Sequence, residues 1–173
     1  MKGIMIILIS SLFLISCATV NVTTDFDTSK DFTNFKSFAF FKPGIDEVEI
    51  SDLDKRRILR AIDTVMQSKG FVKTETPDLL VNISTDAEKN TYFYQNNFGW
   101  GWGWSPFWWG PGFMNSYDVI EGTLFIDLID AKNKELVWQG IGKAPLVDGP
   151  YKKEERIREI VASVLAKYPP MKK

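Results

Sequence analysis

One cysteine and no histidine stand in a chain of 173 residues, and between them they set the chemistry on offer. The cysteine, Cys17, closes the run Leu14-Ile15-Ser16-Cys17, with an aliphatic residue three places before it and a small one directly before it. That pattern looks like a bacterial lipobox. It implies diacylglyceryl transfer to the Cys17 sulfur, cleavage after Ser16, and acylation of the new amino terminus with a fatty acid such as palmitate. A thiolate is the strongest nucleophile a side chain offers for taking such a group. With Cys17 lipidated, no thiol remains for a disulfide, a zinc site or a cysteine nucleophile.

The missing histidine excludes Ser-His-Asp, Cys-His and HExxH arrangements, because histidine is the usual acid/base and metal ligand near neutral pH. Neither a metal nor another cofactor is expected. What remains for catalysis is a carboxylate pair, as in a hydrolase acting on envelope glycans. Glu121 and Asp127 fall on one face of a long strand, yet six residues of extended chain separate them by about 20 Å. Glycosidase carboxyls stand roughly 5–9.5 Å apart, so this pair cannot serve by itself. A non-catalytic binding or scaffolding role is the leading expectation.

The other chemically loaded stretch is Phe98-Gly-Trp-Gly-Trp-Gly-Trp-Ser-Pro-Phe-Trp-Trp-Gly-Pro-Gly-Phe113, which holds five of the six tryptophans. Glycine alternating with tryptophan suits neither helix nor strand, and Pro106 and Pro111 mark a loop over about 95–116. Trp100, Trp102, Trp104, Phe107, Trp108 and Trp109 form a candidate interaction surface. Three readings stay open: local core folded beside Phe125, a hot spot for an envelope protein or glycan partner, or insertion among lipid headgroups, where tryptophan is favoured.

These residues must be positioned by what surrounds them. Lys2 followed by the apolar run 4–15 reads as a signal peptide over 1–16, too short to span a bilayer, which takes roughly 20 helical residues. Ala18 after the cysteine favours the outer membrane over the inner, facing the periplasm. Residues 17–173 are sized for a single domain. The chain carries 21 basic and 22 acidic residues; losing Lys2 leaves 20 against 22, a net −2. Nothing there suggests nucleic acid. Lys55-Arg56-Arg57 with Arg60 reads as the solvated face of a helix.

Periodicity supplies the elements. Val20 to Phe26 alternates as a strand, and Phe35 to Phe41 is a second one, ended by Pro43-Gly44. Ser51 is the N-cap of a helix with Asp54 at capping-box spacing, and Gly70 ends it. Asp78 to Ser84 and about Tyr117 to Asp130 are strands. Asp130 to Lys134 is a tight turn with Asn133 at positive φ, and Glu135 to Ile141 returns as a strand with Trp138 in the core. A last helix runs from near Pro150 to Tyr168, stopped by Pro169-Pro170. The order predicts an α+β fold, a two-layer sandwich whose mixed sheet of about five strands carries two helices on one face.

Several of these blocks together resemble a known family. The lipobox, Phe32, Phe35 and Phe38 at three-residue spacing, Lys69-Gly70-Phe71, Pro77-Asp78-Leu79-Leu80-Val81, the block Gly122 to Asp130, Leu136-Val-Trp-Gln-Gly140 and Tyr168-Pro-Pro170 are similar to the bacterial lipoprotein family described as domain of unknown function 4136. The resemblance implies an envelope location and one α/β domain. It brings no catalytic residues.

Overall fold

The structure is a computed structural model that describes residues 20–94 and 115–170. Six strands form one mixed sheet: β1 (Asn21–Phe26), β2 (Ser37–Phe40), β3 (Val72–Lys73), β4 (Leu79–Tyr94), β5 (Asn115–Asp130) and β6 (Glu135–Pro145), in the spatial order β1-β6-β5-β4-β2-β3. The contacts β1–β6, β6–β5 and β5–β4 are antiparallel, while β2 runs parallel to both β4 and β3. A short helix α1 (Lys42–Asp46) follows β2, α2 (Asp52–Ser68) joins β2 to β3, and α3 (Pro150–Leu165) follows β6. The expected α+β fold is the one observed, with two main helices packed together.

The helices cover one face because the sequence puts alternate apolar residues there. Phe38, Leu79, Val81, Ile83, Leu124, Ile126, Leu128 and Trp138 are buried under Ile58, Ile62 and Met66 of α2 and Ile160, Val161, Val164 and Leu165 of α3. On β6 the sheet thins to admit α3. A methyl group on Gly142 would lie 2.7 Å from Ile160 and 2.8 Å from Val164. Only a residue without a Cβ lets the helix backbone come so near. The Ser51 hydroxyl accepts from the Asp54 N–H at 3.1 Å, so the predicted N-cap forms, and Gly70 leaves the helix at φ 87°.

Four expectations need correction. Pro43-Gly44 does not simply end a strand, because Pro43 opens α1, where its missing N–H costs nothing. The strand expected to stop at Ser84 continues to Tyr94, paired residue for residue with β5 out to Asn115. Asn115 and Ser116, expected at the end of the aromatic loop, therefore already belong to β5. In the β5–β6 turn the positive φ falls on Lys134, at 60°. Asn133 is held instead by the Asp130 carboxylate, which accepts from its backbone N–H at 3.2 Å and its side-chain amide at 3.0 Å.

Candidate functional site

Cys17 and the aromatic set Trp100, Trp102, Trp104, Phe107, Trp108 and Trp109 lie outside the described residues. What the structure does give is the pair of strands that carries the aromatic segment, the β4–β5 hairpin, whose last paired residues are Tyr94 and Asn115.

The sheet face turned away from the helices holds the carboxylate that the sequence offered for hydrolysis. Asp127 accepts from Gln139 Nε2 at 2.7 Å and from Asn82 Nδ2 at 3.5 Å, so it ties β5 to β6 and β4. Glu121 is on the same face, six residues away along β5. The two carboxylates are not brought together. No cluster of three or more potential metal ligands occurs among the described residues.

A groove that the sequence did not reveal lies between the first half of α2, α1 and the end of β2. Its volume is about 480 Å³ and its floor is Phe40, Ile45 and Leu59. Lys42, Lys55, Arg56 and Lys73 stand around it with Asp46 and Asp52, four cations against two anions. Lys73 Nζ sits 4.7 Å from the centre of the Phe40 ring and 3.1 Å from Asp63. Lys55 Nζ donates to the Asp46 carbonyl at 3.4 Å. An apolar floor with a net basic rim is chemically suited to an anionic group attached to an apolar body.

The basic run on α2 therefore divides. Lys55 and Arg56 face the groove, but Arg57 is not on a solvated face as expected. Its guanidinium bonds Asp54 at 2.5 Å and Glu154 of α3 at 3.3 Å, and Arg60 reaches Glu154 at 3.4 Å. Lys153 approaches Asp54 at 3.6 Å. Burial works against ionisation of Asp54, but the Arg57 and Ser51 hydrogen bonds and the nearby Lys153 outweigh it and hold the carboxyl below its usual range. This network locks the first turns of α2 and α3 side by side.

Several of the motifs behind the family resemblance (those of Phe32, Phe71, Trp138 and Tyr168) meet in one place, and their work there is packing. Tyr168 is the hub: its ring is 5.9 Å from Phe32, 5.9 Å from Phe71 and 5.4 Å from Trp138, in tilted or edge-on contacts. Phe32 touches Phe26 at 6.0 Å and Phe35 at 6.1 Å. Lys69 Nζ donates to the Tyr168 carbonyl at 2.8 Å. Asp78 accepts from the Lys36 and Ser37 backbone N–H groups, each at 2.9 Å, and those bonds hold its carboxyl below the usual range. Trp138 and Tyr168 are each 1% exposed, which places Trp138 in the core as expected. Burial pushes the Tyr168 hydroxyl well above its ordinary pKa.

The family model described as "Domain of unknown function (DUF4136)" matches residues 22–170. No curated protein matches the chain in sequence. Among solved structures, the chain is similar to a PDZ domain protein from Parabacteroides distasonis, with 18% identity and a TM-score of 0.52 over 94% of this chain. It spans 39% of that protein's length. It is also similar to the PelC dodecamer from Paraburkholderia phytofirmans, with 10% identity and a TM-score of 0.50, covering 86% of this chain and 96% of that one. At these identities the likeness is one of fold.

Proposed function

The chain belongs to the DUF4136 family, a domain of unknown function, and from that premise we propose that it is a non-catalytic binding or scaffolding lipoprotein of the bacterial cell envelope. Its lipid is on Cys17, and the mature protein sits on the outer membrane facing the periplasm. The observation that carries this reading is the lipobox placed four residues ahead of Asn21, the first residue of β1. Extended chain covers four residues in at most about 14 Å, so the lipid holds the folded domain close to the surface rather than on a long leash. Two or three acyl chains give a stable anchor where one does not.

The non-catalytic part is supported by the separation of Glu121 from Asp127 and by the use of Asp127 as a cross-strand tie. Ligand capture falls to the groove over Phe40, Ile45 and Leu59 and to the aromatic segment 95–114. Labelling of cells with an alkyne fatty acid tests the anchor. The wild type is expected to take the label and, once purified, to show mass loss of residues 1–16. The Cys17→Ser variant is expected to take none and to keep them. A labelled Cys17→Ser chain, or a wild type that enters the aqueous phase of a detergent partition, would refute the assignment.

A further inference from the structure

The sheet register shows at which end of the domain the chain leading back to Cys17 lies. Asn21 of β1 lies opposite Lys143 of β6, Lys143 opposite Thr123 of β5, and Thr123 opposite Asp86 of β4. Beyond that level β1 stops, and β6 stops two residues later, at Pro145 opposite Glu121. The β4–β5 hairpin alone continues, from Lys89 opposite Ile120 to Tyr94 opposite Asn115. It therefore leaves the sheet at the same end as the chain leading back to Cys17.

Both main helices also begin there. Asp54 and Lys153, one turn into α2 and α3, are bridged at 3.6 Å. From Pro150, α3 rises to set Ile160 and Val164 against Gly142. Ten helical residues separate Pro150 from Ile160, about 15 Å at 1.5 Å per residue. The helix starts thus reach about as far beyond Asn21 as Cys17 can.

Of the six large apolar side chains left more than half exposed among the described residues, four are at this end, while Val72 and Leu136 lie near the other. Tyr151 is 89% exposed, Leu53 58%, Leu146 56% and Ile120 51%. Ile120 is half exposed although it shares a face of β5 with the buried Leu124, Ile126 and Leu128. Single exposed apolar residues are ordinary on any surface. Four gathered at one end, within reach of an anchor, call for an occupant. We infer that Leu53, Ile120, Leu146 and Tyr151 face the lipid surface that holds the chain, with the β4–β5 hairpin projecting past them into it. The occupant is set by tether length: the three residues between Cys17 and Asn21 keep this end, and not the opposite one, against the bilayer. Side chains of this kind sink into the boundary between headgroups and acyl chains. This orientation rests on the Cys17 anchor proposed above.

The test uses the lipidated full-length chain in vesicles of phosphatidylethanolamine and phosphatidylglycerol that contain a nitroxide-labelled lipid. With Cys17 occupied by lipid, a second cysteine can carry a bimane at Leu146→Cys or Tyr151→Cys, and at Leu136→Cys or Val72→Cys as exposed positions near the other end. Quenching is expected to be severalfold stronger at the first two than at the second two. Equal quenching at both ends of a chain whose mass shows the lipid would overturn the orientation alone. Labels at Leu146 and Tyr151 that escape quenching, but become shielded as protein density on the vesicle rises, would give the patch to a second copy of the chain and overturn it also. A chain with no lipid on Cys17 would remove the anchor, and the orientation with it.

Discussion

Apolar side chains gather at both ends of this sheet and, apart from Val72 and Leu136, which are exposed near the end where β3 and β6 begin, the two ends treat them oppositely. At the end reached by the carboxyl-terminal turns of α2 and α3, Phe26, Phe32, Phe35, Phe71, Trp138 and Tyr168 close over one another, and the last two are wholly buried. At the end where the helices start, Leu53, Ile120, Leu146 and Tyr151 are left more than half exposed. The residue types are alike, so hydrophobicity by itself does not separate the two. The closed end is built from segments far apart in sequence that must all be in place for any ring to be covered. Its apolar area is removed from water by folding, at about 25 cal/mol per Å². The open end gains less of that kind from folding, and its exposed apolar surface is available to something outside the domain.

The sharpest way to break this contrast is at Trp138. Trp138→Ala removes a ring that Tyr168 leans on and should lower stability by about 3–5 kcal/mol, measured by denaturant unfolding of the domain. A loss under about 1 kcal/mol would mean the closed end is not core. Asp78 gives a smaller and pH-dependent effect at the same end. Its carboxylate accepts from Lys36 and Ser37, and Asp78→Asn should cost on the order of 1–3 kcal/mol at neutral pH. Because the folded carboxyl lies below its usual range, the stability it adds is complete above the unfolded value near 4. It is lost as pH falls through the lowered folded value. The variant should therefore lose less stability than the wild type as pH falls below about 4; parallel acid profiles for the two proteins would contradict that. The smallest effect is expected at the open end. Tyr151→Ser and Leu53→Ser should each move unfolding by no more than about 0.5 kcal/mol, and a larger drop would show that these side chains are part of the core after all.

Much of this frame was legible in the sequence because its elements are strongly periodic and well punctuated. Ser51, Gly70 and Pro150 mark helix limits by local backbone chemistry, and they hold in the structure. The long strands were read short for an equally physical reason. From Thr85 to Asn90 the sequence shows little alternation of apolar and polar residues, and pairing with β5 carries the strand on. The two residues of β3 are too few to show a period. The groove over Phe40, Ile45 and Leu59 joins three segments whose proximity is a tertiary fact. Arg57 could not be told from Arg56 by composition, because its partner Glu154 lies on the other helix. Gly142 likewise gave no sign of its role until α3 was seen pressed against it.

The position of β1 in the sheet has a mechanical side. It is an edge strand, joined to the sheet through β6 by six consecutive residue pairs running antiparallel. A pull on the chain ahead of Asn21, resisted at the far end of the domain, acts along the strand rather than across it. All six pairs then bear load together, as in a lap joint, and none can be peeled away ahead of the rest. How long such a joint lasts under force is set by an unfolding rate and not by equilibrium stability. The first strand of the domain is thus clamped by its last one, and a protein tugged by its amino terminus would be held by residues Trp138 to Lys143.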